Sequence, residues 1–226
     1  RSQAVDGTLG GGIRLNRGAQ LTLNRGLLLD NRDVGIYISG TDTRGQFTSL
    51  VIENTKSRAN GGNRGTGMII EDGAQVSLVQ SLITRSRNGG ILVEGDGTYL
   101  DANTVTVSKS LGEDESGSGG WGIQVANHAV AALTNVAIEA NRYFGLAAFG
   151  KNTKVVGEGI RILNTRRQVC YLDGRSICNF GINCAKQAHA AGRNTARSEQ
   201  SIAPLMRGVK ALWDANELKF SRSKRK

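Results

Sequence analysis

Proline is almost missing from this chain: one residue, Pro204, among 226, against 31 glycines. That ratio suits a fold made of many tight corners. Aromatic residues make up only 5%. The two histidines, His128 and His189, share no position in the pattern described below, which argues against a histidine-based triad or zinc site. No glycine-rich phosphate cradle precedes a helix, because the glycines follow a long period instead. No run of about 18 apolar residues occurs, so no membrane-spanning helix is expected. No leader is read at the start either: Arg1-Ser2-Gln3 runs straight into patterned sequence, and the expectation is a mature form or a piece of a longer array.

What the chain does contain is one phrase written three times. Gly12-Ile13, Gly67-Met68 and Gly122-Ile123 are evenly spaced, and Gly35-Ile36, Gly90-Ile91 and Gly145-Leu146 follow at the same interval. Gly40, Gly95 and Gly150 keep that register without a gap, and so do Arg32, Arg87 and Arg142. Such a period marks a repeat architecture. Each unit divides again into two similar halves, since the steps from Gly12 to Gly35 and from Leu28 to Ile52 are nearly equal.

Within each half-unit the apolar positions alternate at period two, which is strand spacing. A first strand reads Ile13/Leu15, Ile36/Ile38, Met68/Ile70, Ile91/Val93, Ile123/Val125 and Leu146/Ala148. A second reads Leu21/Leu23, Val76/Leu78 and Ala131/Leu133; a third reads Leu50/Ile52, Val105/Val107 and Ile160/Ile162, with Leu28, Ile83 and Ile138 in the alternate coils. Three short strands per coil cannot bury an apolar face alone, but stacked coils can. The expected fold is all-β: a single-stranded parallel β-helix of about six to seven coils, with inward apolar ladders.

The phrases Gly12-Ile-Arg-Leu-Asn-Arg-Gly-Ala-Gln-Leu-Thr-Leu23 and Gly67-Met-Ile-Ile-Glu-Asp-Gly-Ala-Gln-Val-Ser-Leu78 resemble right-handed parallel β-helix repeats of the pectate-lyase-like superfamily. More narrowly, they resemble bacterial, myxobacterial-type secreted or surface arrays. The resemblance implies a right-handed solenoid, a fold that hosts lyases, hydrolases, adhesins and inert stalks, so function has to be read from the sites.

The repeats are assigned to 10–64, 65–119 and 120–174, with a degenerate copy from 181, inside a β-helix domain of 1–195. Residues 1–165 carry 16 Lys/Arg against 15 Asp/Glu, a net of +1; residues 166–226 carry 13 against 4, a net of +9. A tail such as 222–226 is of the kind that touches nucleic acid, anionic lipid or acidic polysaccharide. A solvated end is the simpler reading, and nucleic acid is not an expected partner. Residues 202–213 show i, i+3, i+4, i+7 apolar spacing with Pro204 in the first turn, so 196–226 is read as a basic capping helix and tail.

Asn31 and Asn141 share a column with Ser86, and Asn54 and Asn164 share another with Lys109; both are read as corner ladders. The arginine column reads as a solvated corner before it reads as a polyanion track. Long connections are expected at 56–64, around the acidic residues 113–115, and around Arg166, Arg167 and Arg175, stacked on one edge with mutual screening. The acidic loop lacks the alternating oxygen spacing of a dedicated calcium site; no cofactor is expected, with weak capture of Ca²⁺ by that loop as the alternative.

Chemistry concentrates on the outward side of the first strand. One column there reads Asn16, Ser39, Glu71, Glu94, Ala126 and Phe149; its neighbour reads Arg14, Tyr37, Ile69, Leu92, Gln124 and Ala147. Glu71 and Glu94 would stand about 4.8 Å apart at Cα. Carboxylates that close suit shared-proton or glycoside chemistry, although two glutamates splayed into water is the plainer reading. Arg14, Tyr37, Ile69, Glu71, Leu92, Glu94, Gln124 and Phe149 form an expected binding face for sugar or protein. The expected function is a non-enzymatic secreted or surface module, a spacer or binding platform. The alternative is a β-helix lyase or hydrolase using Glu71 and Glu94.

Three cysteines permit one bridge and one leftover thiol. Cys170 and Cys178, read as lying in one long connection, are the expected bridge, and Cys184 the buried thiol.

Overall fold

The computed structural model describes residues 10–58, 64–112 and 119–165 in full, and 168–172 and 177–179 by their backbone. The capping helix, the basic tail, Cys184 and the acidic loop fall outside the described residues.

The described chain is all strand and forms a parallel β-helix. A seven-stranded sheet takes the first strand of each coil: β1 (Gly11–Leu15), β3 (Val34–Ser39), β5 (Thr66–Glu71), β8 (Gly89–Glu94), β11 (Trp121–Ala126), β14 (Phe144–Phe149) and β17 (Gln168–Leu172). A second, eleven-stranded sheet takes the rest. It holds β2 (Gln20–Leu29), β4 (Arg44–Glu53), β6 (Gln75–Val79), β7 (Leu82–Thr84), β9 (Tyr99–Asn103) and β10 (Thr106–Ser108). It continues through β12 (Val130–Thr134), β13 (Ala137–Glu139), β15 (Lys154–Glu158), β16 (Arg161–Leu163) and β18 (Ile177–Asn179).

The three-strand coil expected from the sequence holds from the third coil to the sixth. In the first two coils, β2 and β4 run ten residues each through both the second and third strand positions. They join what would otherwise be two sheets.

The register makes the ladders explicit. Ile13 pairs with Ile36, Ile36 with Met68, Met68 with Ile91, Ile91 with Ile123 and Ile123 with Leu146. A second ladder runs Leu28, Ile52, Ile83, Val107, Ile138 and Ile162. Between Ile36 and Leu146 the members of the first ladder are at most 1% exposed. Each fully buried aliphatic side chain contributes about 1.5–3 kcal/mol relative to exposure. The glycine repeated at the start of the first strand is a consequence of this packing. A Cβ on Gly35 would meet Ile52 Cγ2 at 2.6 Å, and one on Gly12 would meet the Gly35 carbonyl oxygen at 2.6 Å.

The two corners that flank the third strand are made by single left-handed residues. Between second and third strands these are Arg25, Ser49, Gln80, Thr104, Asn135 and Gly159, with φ from 48 to 63°. After the third strand they are Asp30, Asn54, Arg85, Lys109, Ala140 and Asn164, with φ from 53 to 58°. The Asn54/Lys109/Asn164 column is therefore set by backbone conformation, which asparagine tolerates and arginine, lysine and alanine accept at some cost. In the neighbouring column Asn141 makes a hydrogen-bonded corner, whereas the buried Ser86 hydroxyl has no partner among the described residues. Asn141, fully buried, accepts the Ser110 amide at 3.0 Å and donates to the Val107 carbonyl at 3.3 Å.

Two expectations past residue 165 are corrected. The step from Leu146 to its register partner Cys170 is nearly as short as that from Ile13 to Ile36, and well short of that from Ile91 to Ile123. The third connection is thus short, and the seventh coil begins at Gln168, ahead of the degenerate copy expected from 181. Cys170 and Cys178 accordingly do not share one connection. They stand on β17 and β18 in different sheets, at the register positions of Leu146 and Val155.

Candidate functional site

The first sheet holds its outward residues in the two columns expected. Arg14, Tyr37, Ile69, Leu92, Gln124 and Ala147 follow one another in register. So do Ser39, Glu71, Glu94, Ala126 and Phe149. Strand alternation points both columns away from the core ladders.

Within this grid the side chains are already engaged. The Arg14 guanidinium lies 4.5 Å from the centre of the Tyr37 ring, a cation–π contact that covers one ring face. The Tyr37 hydroxyl donates to Glu71 Oε1 across the coil boundary. Burial, reinforced by that bond, raises the Tyr37 hydroxyl above its ordinary value of 10.0. Ser39 donates to Asp72 Oδ2 at 2.9 Å, and Asn127 Nδ2 donates to Glu94 Oε1 at 2.7 Å. Glu71 and Glu94 are register neighbours, yet each carboxylate takes its own donor.

The accessible face is narrower than the sequence suggested. Ile69 is 5% exposed and Gln124 7%, although both point outward. Arg14 is exposed, while Tyr37, Glu71, Leu92, Glu94 and Phe149 are half-buried.

Three features escaped the sequence reading. Thr43, Thr98 and Thr153, buried beside the first corner, donate to the carbonyls of Ser39, Glu94 and Phe149 at 2.8–3.0 Å. Thr43 and Thr98 also accept the amides of Gly18 and Gly73 one coil below. Their recurrence at the interval of the glycines was the available signal. Asp33, buried, holds the first long connection by a two-pronged contact with Arg58 at 3.0 and 3.2 Å. Lys56 pairs with Asp30 at 3.1 Å, so these basic residues find partners on the solenoid's own corners. Arg32, the first of the arginine column, donates to the Ser57 carbonyl at 3.1 Å.

The third feature is a shallow groove of about 260 Å³ on the second sheet. It is lined by Arg44, Gln46, Gln75, Ser77, Tyr99 and Asp101. Among the described residues no three His, Cys, Asp or Glu side chains are grouped to hold a metal ion. No helix among them is long and apolar enough to cross a membrane.

No curated protein and no solved structure matches the chain. The model of the family described as right handed beta helix region matches residues 2–107. That match and the parallel coil-to-coil pairing agree on the fold, a right-handed parallel β-helix built of repeated coils.

Proposed function

We propose that this protein is a non-catalytic β-helix module, secreted or displayed at a cell surface, that acts as a rigid spacer and offers its first sheet as a binding platform. The observation that supports this reading is the separate engagement of Glu71 by Tyr37 and of Glu94 by Asn127. Carboxylates fixed by neighbouring side chains are suited to holding a surface in one arrangement. The resemblance of the repeats to the pectate-lyase-like superfamily and to bacterial surface arrays supports display outside the cell. The ligand class is a polysaccharide chain or a protein surface laid across the strands.

One observation favours a second reading, a β-helix lyase or glycoside hydrolase. Glu71 and Glu94 are paired in register, and adjacent strands lie about 4.8 Å apart, near the carboxyl separation of retaining enzymes. Co-sedimentation with acidic polysaccharides and with protein-bearing cell walls separates the two. Arg14→Ala, Tyr37→Ala and Phe149→Ala should each weaken binding roughly two- to tenfold. Glu71→Gln and Glu94→Gln should stay within a few fold. The reverse order would favour the enzyme.

A further inference from the structure

The second sheet carries a polar grid that the repeat does not impose. Arg44, Gln75 and Tyr99 are successive register partners, as are Gln46, Ser77 and Asp101. The grid therefore spans two strand spacings, about 10 Å. Gln20 and Thr22 precede it in the same columns, and Val130 and Ala132 follow it, so the polar run ends at the fourth coil. Core positions keep their apolar character from repeat to repeat, whereas equivalent positions here change: Arg44 becomes Tyr99 and then Lys154, and Gln46 becomes Asp101 and then Val156.

The geometry follows from side-chain length. Ser77, the shortest of the set, lies in the middle of its column with Gln46 on one side and Asp101 on the other. Arg44, Gln46, Gln75, Tyr99 and Asp101 are exposed around it, and Tyr99 at 39% is among the few exposed large apolar side chains. Gln46 accepts a bond from Thr22 at 3.3 Å. The side chains of Arg44, Gln75, Ser77, Tyr99 and Asp101 make no hydrogen bond or ion pair with another described residue. Their donors and acceptors face the groove unspent.

We propose that this groove is a binding site for a neutral, hydroxyl-rich glycan chain, independent of the first-sheet platform. Two amides and a serine hydroxyl each offer both a donor and an acceptor, as a run of sugar hydroxyls requires. Asp101 accepts two hydroxyls, and Arg44 donates to ring or hydroxyl oxygens. The Tyr99 ring supplies the apolar surface for the C–H face of a pyranose. One arginine and one aspartate leave the groove without net charge, which disfavours a polyanion. A protein partner would call for a desolvated apolar centre, and this centre is a serine.

The test uses the full chain and short neutral oligosaccharides: linear β-linked glucan, mannan and xylan, with oligogalacturonate as the anionic control. Binding is followed by titration calorimetry and by heteronuclear NMR shifts of the Gln46 and Gln75 side-chain amides. At least one neutral oligosaccharide should saturate both signals, with little dependence on salt. Tyr99→Ala should weaken it roughly tenfold, and Asp101→Asn by several fold. Both residues are exposed, so their variants should melt with the unmutated chain. Tyr37→Ala and Glu71→Gln, on the other sheet, should leave this binding unchanged and so separate its failure from failure of the first-sheet platform. The proposal is overturned if no neutral oligosaccharide saturates, if Tyr99→Ala binds as well as the unmutated chain, or if only the anionic control binds.

Discussion

The Tyr37 hydroxyl donates to Glu71 from one coil to the next, and both groups lie on the outward face of the first sheet. The bond couples two coils outside the core and fixes a phenol in its protonated form. Because burial and Glu71 raise the folded-state value, the folded chain holds this proton more tightly than the unfolded chain does. The stability gained is fully present below the ordinary value of 10.0 and is lost as pH rises through the raised one. Tyrosinate absorbance should show one group titrating later than a free phenol. Glu71→Gln should move that group back down; an unchanged profile would show that Glu71 has no hold on Tyr37.

The ladders set the largest stability effects. Ile123 and Val107 are fully buried in them, and truncation to alanine should cost about 2–4 kcal/mol each in denaturant melts. Gln124→Ala points outward from the same strand as Ile123 and should cost about 1 kcal/mol or less, even though Gln124 is only 7% exposed. Equal losses for Ile123 and Gln124 would contradict the assignment of inward and outward faces.

The corners store strain that can be relieved. Thr104 adopts φ 57°, a conformation that a β-branched residue resists, while Asn135 occupies the same corner position in the next coil at φ 53°. Thr104→Asn should therefore raise stability by about 0.5–1 kcal/mol. A lower melting point for this variant would show that the threonine contributes more than its backbone costs.

Buried polar corners should respond in the opposite direction. Asn141→Ala leaves the Ser110 amide and the Val107 carbonyl without their side-chain partner, at a cost of about 1–3 kcal/mol. Asn141→Ser should recover little of that loss, because the Ser86 hydroxyl in the same column is buried with no hydrogen-bond partner among the described residues. Equal stability of both variants with the unmutated chain would remove the corner role.

Inward and outward faces were legible in the sequence because period-two alternation and a gap-free repeat interval leave one register for the strands. The first-sheet columns, with Glu71 beside Glu94, followed directly from that interval. What the sequence could not carry was side-chain engagement within a column. Nothing in spacing alone says that Arg14 covers the Tyr37 ring, or that Asn127 takes Glu94. Outward direction was equated with exposure, and Ile69 and Gln124 show the two to be separate. The start of the seventh coil is not legible in the sequence, because a shortened connection shifts Cys170 out of the repeat interval while coil-to-coil pairing continues. The groove at Tyr99 is not legible in the repeat, because its lining residues change from one repeat to the next.

The measurement that bears most directly on the role of this protein is product analysis after prolonged incubation with acidic and neutral polysaccharides, with and without calcium. No unsaturated or reducing sugar ends should accumulate, and Glu71→Gln and Glu94→Gln should be indistinguishable from the unmutated chain. Ends released by the unmutated chain and lost in Glu71→Gln, where removing a proton-transfer group costs about a hundredfold or more, would contradict the non-catalytic reading and establish the lyase or hydrolase in its place.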